Sequence, residues 1–347
     1  MAEYLIQDTT LMEIATAIRN KTNKPGAILV AKFSEEIESI DTRTANLPTL
    51  DGAYPEDVEL TVIKGNSTNT LLSTVILQHG NPATYTYQWY VNGTAVDGAT
   101  NSTYLLDNLT TTDTYHVHCE ITNDAGTVST RIATVKVTQY YTPVLNSSYP
   151  ADVTTTVIKG NTTSATFTTN ISTNGVPSSY TYQWYKDGAA VSGATSSSYT
   201  ITGLSSTVTH SIYCKVTNAA GSVNSRTATL KVTQYYTPTL DSSYPADASV
   251  FVNKSVTSKV TISTAGNPAS YTYQWYKNGS AVSGATSSTY TFTPIVPGSV
   301  TVYCKVTNTA GSVNSRTATI TVKSTKPTYT YSGSATLVDE GNDNWYI

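Results

Sequence analysis

Charged side chains are scarce in this sequence. Asp, Glu, Lys and Arg make up 12% of its 347 residues, and the formal net charge is −3. Basic residues form no patch of the kind that neutralises phosphate groups, so we predict no nucleic-acid partner. No apolar run approaches the roughly 18 residues that a membrane-spanning helix needs, so we predict no insertion into a membrane.

The sequence also lacks a constellation of catalytic residues. Its four histidines include His116 and His118, which stand on either side of Val117 along a predicted strand. Two histidines at this spacing can share a metal ion, but no third ligand accompanies them. We therefore predict two solvent-facing histidines, no metal site, no cofactor and no enzymatic activity.

What the sequence does contain is a long repeat. The motif Tyr-Thr-Tyr-Gln-Trp-Tyr occurs three times, about 90 residues apart, which is too long for the unit of a solenoid. An Asn-Gly or Asp-Gly turn signal follows each copy. A period of this length is typical of whole domains strung in a row, each with its own core.

Apolar and polar residues alternate along the segments of each repeat, as they do in half-buried β-strands. Each repeat has one tryptophan, one cysteine, and an isoleucine thirteen positions before the tryptophan. We predict that these residues belong to the structural cores of the three domains: Trp89, Trp184, Trp275, Cys119, Cys214, Cys304, Ile76, Ile171 and Ile262. One cysteine per repeat cannot form an intradomain disulfide, so we expect small buried hydrophobic side chains.

The combination W-Y-x-[ND]-G, Y-x-[ILF] and C-x-[VI]-x-N-x-x-G resembles the immunoglobulin-like domains of bacterial and bacteriophage surface proteins. The resemblance covers roughly residues 47–323. It implies a mostly β protein with three tandem immunoglobulin-like antiparallel β-sandwiches, at residues 46–139, 140–234 and 235–323. The first cysteine of the family's inter-sheet disulfide falls on Ile76, Ile171 and Ile262. Its absence suits a protein that matures in a reducing cytosol, and the first residues lack the features of a secretory signal.

Residues 1–45 differ from the repeats. Thr10 and Glu13 form a capping-box pattern, and Pro25-Gly26 separates two predicted short helices. Apolar residues at helical spacing are Leu11, Ile14 and Ile18 on the first helix, and Phe33, Ile37 and Ile40 on the second. Helices this short cannot enclose a core. We predict a helical hairpin that anchors or oligomerises the chain, with packing on the first sandwich as the alternative.

The remaining segments connect or end the repeats. The linkers at residues 139–143 and 234–238 are short, contain proline and lack glycine, which predicts a semi-rigid rod. Residues 324–347 predict a C-terminal β-hairpin fragment, which belongs to a module that either pairs with another element or continues in a longer chain.

Both ends carry a second resemblance. Residues 8–40 are similar to segments that begin many tail and fibre proteins of bacteriophages, and residues 329–347 to a module near the ends of such proteins. This implies a structural phage virion protein, in the tail, a fibre or a surface decoration, made and assembled in the bacterial host cytoplasm. Residues 1–45 would bind other virion proteins, and copies of the chain would form a homo-oligomer. Host surface glycans are a secondary partner of the chain. The alternatives are a bacterial adhesin stalk and the binding module of a larger tail-associated hydrolase.

Overall fold

The computed structural model describes residues 45–324 and, outside that span, residues 16, 17, 20, 338, 339, 345 and 346. Thr16, Ala17 and Asn20 are helical and fall in the first predicted helix. The apolar stripes of the predicted N-terminal module lie outside the described residues: Leu11, Ile14, Ile18, Phe33, Ile37 and Ile40.

Domain 1 is built from ten strands whose side chains alternate between a buried and an exposed face. The strands are β1 (Thr49–Leu50), β2 (Val58–Ile63), β3 (Thr68–Ser73), β4 (Ile76–Gln78), β5 (Thr86–Val91), β6 (Thr94–Ala95), β7 (Thr103–Leu109), β8 (Asp113–Asn123), β9 (Gly126–Ser129) and β10 (Ala133–Tyr140).

Two layers of strands enclose the core of domain 1. One layer has the order β2-β10-β8-β5-β6, with β9 also paired to β8. Strand β2 runs parallel to β10, and the other pairs in this layer are antiparallel. The opposite layer contains the antiparallel pairs β1-β4 and β3-β7. Strands β3 and β4 follow one another along the chain and are separated only by Thr74 and Val75.

Domain 2 repeats this arrangement strand for strand. Its strands are β11 (Val144–Leu145), β12 (Val153–Ile158), β13 (Thr163–Thr168), β14 (Ile171–Thr173), β15 (Thr181–Lys186), β16 (Ala189–Ala190), β17 (Ser198–Leu204), β18 (Val208–Asn218), β19 (Gly221–Asn224) and β20 (Ala228–Tyr235).

Domain 3 repeats it again, with shorter strands at some edges. Its strands are β21 (Thr239–Leu240), β22 (Ala248–Phe251), β23 (Val256–Lys259), β24 (Ile262–Thr264), β25 (Thr272–Lys277), β26 (Ser280–Ala281), β27 (Thr289–Phe292), β28 (Gly298–Asn308), β29 (Gly311–Asn314) and β30 (Ala318–Lys323). The prediction of a mostly β chain with three tandem sandwiches is therefore confirmed for residues 45–324.

The described residues of the C-terminal segment form the antiparallel pair β31 (Val338–Asp339) and β32 (Trp345–Tyr346), as expected for a hairpin. The chain divides into two compact units, Met1–Tyr141 and Thr142–Ile347, and the second unit contains domains 2 and 3. The domain bounds given above remain predictions.

A tryptophan occupies the centre of each core. Trp89, Trp184 and Trp275 have no exposed surface, and each pairs across the sheet with a cysteine that is equally buried. The indole Nε1 donates a hydrogen bond to a backbone carbonyl, at 2.8 Å to Asn101 and at 2.8 Å to Ser196. Because a buried donor without a partner is costly, this bond allows the whole ring to leave water.

The three isoleucines are not at the centre of the cores. Ile76, Ile171 and Ile262 are half-buried and begin β4, β14 and β24. Four residues earlier on the same strand path, Leu72 is 2% exposed and Phe167 is 1% exposed. The strand is interrupted between these positions, so the isoleucines pair with β1, β11 and β21 at the end of the sandwich. The isoleucines therefore lie at the margin of the cores, where Ile171 packs against the buried cluster of domain 2, and their place among the core residues stays a prediction.

A contact at the start of the domain ties the entering chain to the sandwich. In domain 1, Asn123 Nδ2 donates to the Asn46 carbonyl at 2.9 Å and to the Pro82 carbonyl at 3.1 Å. In domain 3, Asn308 does the same to the Tyr236 and Pro268 carbonyls. A Cβ on Gly80 would lie 2.4 Å from the Asn46 carbonyl oxygen, so only glycine fits there. We call this arrangement the entry contact.

We predict that Phe167→Ala destabilises domain 2 by about 3–5 kcal/mol, since it removes a buried ring and leaves a cavity. Chemical denaturation of the full chain measures this as an earlier transition for one domain. Thr168→Ala, at the exposed neighbouring position, is the matched control and should leave the transition within about 0.5 kcal/mol. Equal effects of the two substitutions would contradict the assignment of Phe167 to the core.

Candidate functional site

A stacked pair of aromatic rings lies on the outer face of each larger sheet. Tyr185 and Tyr213 pair across β15 and β18, with ring centroids 4.7 Å apart and planes 1° apart. Tyr276 and Tyr303 repeat this in domain 3, at 4.7 Å and 2°. Strand alternation explains the position, because the preceding residue, Trp184 or Trp275, points into the core.

Domain 1 varies this surface. Tyr90 stacks on His118 with centroids 4.8 Å apart, and its hydroxyl donates to Glu120 Oε2 at 2.9 Å. Lysines, Lys215 and Lys305, stand at the position of Glu120 in the other two domains. We call these six aromatic residues and their flanking charges the aromatic faces. They combine flat apolar rings with hydrogen-bonding groups, which is the chemistry that sugar rings require.

A glutamine that recurs in all three domains lies beside each aromatic face, on the same side of the sheet. Gln183 Nε2 donates to the carbonyls of Trp184 and Val191, at 3.0 and 2.8 Å. The equivalent bonds of Gln88 and Gln274 have similar lengths. These side chains fix the edge of the sheet beside the rings, so the faces are held rigidly by the strands rather than by loops.

The two histidines predicted to face solvent lie on the outer side of β8, but only one of them is fully exposed. His116 is exposed, and His118 is half-buried beneath Tyr90. His210 Nδ1 lies 2.6 Å from Asp187 Oδ2, where it bridges the turn after β15 to β18. Within residues 45–324 and the few described positions beyond them, no three His, Cys, Asp or Glu side chains form a group that could hold a metal ion. The same part of the chain contains no helix that is long and apolar enough to cross a membrane.

The three cysteines are sealed in the cores. Each is fully buried, and its backbone N–H donates to the hydroxyl of the residue that follows β9, β19 or β29, namely Thr130, Ser225 or Ser315, at 2.9 to 3.0 Å. Burial raises the pKa of Cys119 to about 12, and the pKa values of Cys214 and Cys304 to about 11. Because the thiolate is the reactive form, these thiols are structural rather than chemical groups.

Sequence reasoning missed an arginine clamp that occurs once in each domain. Arg131 donates to the Pro55 carbonyl at 2.5 Å and to Asp57 Oδ2 at 2.8 Å, while Asp57 Oδ1 accepts from the Thr134 amide. The equivalent pairs are Arg226–Asp152 and Arg316–Asp247. A signal was present in the sequence, since Pro-x-Asp and Arg-x-Ala-Thr recur together in all three copies.

The clamp lowers the pKa of the aspartate carboxyl group in each domain. Hydrogen bonds from Arg131, and then from the Thr134 amide, lower the pKa of Asp57 below its ordinary value. The pKa values of Asp152 and Asp247 are also lowered, chiefly by the amides of Thr229 and Thr319 and further by their arginines. The ionised carboxylate is therefore the form that the fold stabilises.

The described fold belongs to the class of tandem immunoglobulin-like β-sandwich proteins. No family model matches the chain. Among curated proteins, it is similar to the highly immunogenic outer capsid protein of Enterobacteria phage T4, with 31% identity over 247 residues, 69% of this chain and 64% of that protein. The chain thus spans less than two thirds of that relative's length.

Solved structures with a similar arrangement include a titin I-band fragment, at 18% identity and a TM-score of 0.41, which covers 81% of this chain and 100% of the fragment. A second is the first five immunoglobulin domains of Sidekick-1, at 20% identity and a TM-score of 0.37, covering 82% of this chain and 60% of that one. At these identities, the likeness concerns the fold alone.

The chain is a phage virion protein with tandem immunoglobulin-like domains, homologous to the phage outer capsid protein. The prediction of a phage virion protein is thereby confirmed. The tail and fibre parts of that prediction gain no support, because the relative is an outer capsid protein.

We predict that Cys119, Cys214 and Cys304 resist maleimide reagents in the native protein and react only after denaturation. Mass spectrometry of the labelled chain measures the number of modified thiols. Ser192→Cys, at an exposed loop position of domain 2, gives a positive control with one rapidly labelled site. Rapid native labelling of the wild-type chain would contradict the sealed cores.

We predict that the clamp stabilises the fold above about pH 4 and that its contribution disappears as the pH falls further. The sign follows from the lowered pKa values of Asp57, Asp152 and Asp247, since protonation removes the favoured ionised form. Urea midpoints of the wild type and of Asp57→Asn/Asp152→Asn/Asp247→Asn should differ at pH 7 and converge near pH 2.

Asp97→Asn, at an exposed turn residue, is the control for the loss of one charge. A difference between the wild type and the triple variant that stays constant from pH 7 to pH 2 would contradict the role of the ionised clamp.

Proposed function

We propose that this chain is a non-enzymatic decoration protein of a phage outer capsid. The observation that carries the proposal is the 31% identity with an outer capsid protein over 247 residues. The three sandwiches add support, because each has a sealed core and a repeated outer face. The predicted segments 46–139, 140–234 and 235–323 would then be three displayed domains.

We propose residues 1–45 as the segment that joins the chain to other virion proteins and brings copies together. Their apolar stripes, with Leu11, Ile14 and Ile18 on the first predicted helix, need a partner that two short helices do not supply. A capsid surface offers such a partner, and many chains on one particle would act together.

The aromatic faces are the proposed contact with host surface glycans. Tyr185 and Tyr213 provide flat rings, and Lys215 and neighbouring threonines provide hydrogen-bonding groups around them. Each face is open and shallow, so a single contact would be weak. Several domains per chain and many chains per particle raise the effective concentration, which is how weak contacts become useful attachment.

We predict that the purified chain binds capsids of its own phage that lack it, and that Leu11→Ser/Ile14→Ser/Ile18→Ser weakens this binding about tenfold or more. Cosedimentation measures the bound fraction, and labelled electron microscopy locates it on the particle. Thr168→Ala serves as the surface control. Decoration of tails alone, or full binding by the triple variant, would each contradict the corresponding part of the proposal.

We predict that Tyr185→Ala/Tyr213→Ala/Tyr276→Ala/Tyr303→Ala lowers retention of decorated particles on immobilised host surface polysaccharide. The loss follows from removal of the stacking surface. Thr166→Ala/Thr200→Ala, on the opposite sheet of domain 2, is the matched control. Unchanged retention of the tyrosine variant, with its fold intact by circular dichroism, would reject glycan binding by these faces while leaving capsid decoration in place.

A further inference from the structure

Domain 1 has an apolar surface on its smaller layer. Leu71, Leu77 and Leu105 are 65%, 61% and 48% exposed. Leu71 pairs directly with Leu105 across β3 and β7. Along this strand path Leu72 and Ile76 point inward, so Leu71 and Leu77 lie on the outer side. We call these three residues the leucine face.

The other two copies of the fold are polar at the same positions. Thr166 and Thr200 replace the leucine pair in domain 2, with their hydroxyls hydrogen-bonded at 2.8 Å, and Thr257 and Thr291 do the same in domain 3. At the position of Leu77, Ser172 and Ser263 donate to backbone carbonyls of β11 and β21, each at 3.0 Å.

The fold therefore does not require leucine at these positions. Scattered exposed leucines need no explanation, but three on one face, where two sister domains carry paired hydroxyls, indicate a surface that is covered by a partner.

The chain itself brings a suitable partner to this face. Residues 1–44 enter domain 1 through β1, whose Thr49 pairs with Gln78, the residue after Leu77. Asn46 comes six residues after Ile40, and a segment of that length can span up to roughly 20 Å. The segment just before this tether can therefore reach Leu77.

The second predicted helix also resembles the leucine face in length and in its apolar character. Leu71 lies about six strand residues from Leu77, a distance of roughly 20 Å. The second predicted helix, from about Ala31 to Ser39, would extend about 13 Å, and Phe33, Ile37 and the adjoining Ile40 form its apolar stripe. A helix of that length spans roughly two thirds of the distance from Leu71 to Leu77, which is enough to cover Leu77 and approach the Leu71–Leu105 pair.

We propose that the second predicted helix of the N-terminal segment packs on the leucine face of its own domain 1, through Phe33, Ile37 and Ile40. This contact assigns different partners to the two predicted helices, because it leaves Leu11, Ile14 and Ile18 free to bind the virion. It also does not depend on capsid binding, so it holds in the isolated chain.

Amide hydrogen exchange of the full chain in solution tests the proposal. Peptides from residues 31–40 should exchange at least about tenfold more slowly in the wild type than in Leu71→Thr/Leu77→Ser/Leu105→Thr. These substitutions give domain 1 the residues that domain 2 has at the same positions, so the sandwich keeps its fold. The amides of β8 report on that fold, and their protection should not change.

Two further variants sharpen the comparison. Phe33→Ser/Ile37→Ser changes the helix instead of the leucine face and should abolish the protection of residues 31–40. Thr166→Leu/Thr200→Leu adds leucines to domain 2 and should leave that protection unchanged. Leu11→Ser/Ile14→Ser/Ile18→Ser should weaken capsid binding while leaving the protection of residues 31–40 intact.

Four results would overturn the proposal. They are an absence of protection in the wild type, protection that survives loss of the leucine face, protection that rises with protein concentration together with a doubled mass by light scattering, and protection that appears only on capsids. The third result would assign the leucine face to a second copy of the chain, and the fourth to a virion protein.

Discussion

Burial of one tryptophan is the constraint on which each sandwich depends. The ring fills the space between the two layers, and this is possible only because its Nε1 finds a backbone carbonyl, that of Ser287 in domain 3, at 2.9 Å. That bond requires the segment after the short edge strand to fold back over the sheet. The cysteine opposite the ring is compact and uncharged, so apolar packing replaces the covalent link between sheets that is absent from all three domains.

The alternating pattern of the sequence was enough to predict which strands carry the core, because side-chain direction along a strand follows a period of two. It correctly assigned Trp89 and Cys119 to the buried face. At Ile76 it gave the inward direction but not the shallower burial, because alternation continues across a break in the strand and does not reveal where pairing changes. Arg131 and Asp57 were missed for another reason, since they are 74 residues apart and meet only through the fold. The aromatic faces required cross-strand register, which fixes the partner of Tyr185 as Tyr213.

The three domains share the buried tryptophan–cysteine pair, and their outer surfaces differ. The ring pair of two tyrosines in domains 2 and 3 becomes Tyr90 and His118 in domain 1, next to a glutamate instead of a lysine. The outer threonine pairs become leucines only in domain 1. Core positions vary in size, as Leu72, Phe167 and Ser258 do at one buried position, within the limits of dense packing, whereas outer positions can follow the requirements of binding. Differences among copies of one fold therefore indicate function more directly than the features they have in common.

The entry contact has an evolutionary consequence. Its acceptor is a main-chain carbonyl, which belongs to an asparagine in domain 1 and to a tyrosine in domain 3. The glycine and asparagine that complete it come from the receiving domain. The entry contact therefore does not depend on which side chain the entering residue carries. The side-chain donor that forms it belongs to the domain that follows. A whole domain of this kind can therefore be added to or removed from a chain without any change in the side chain at the entry contact.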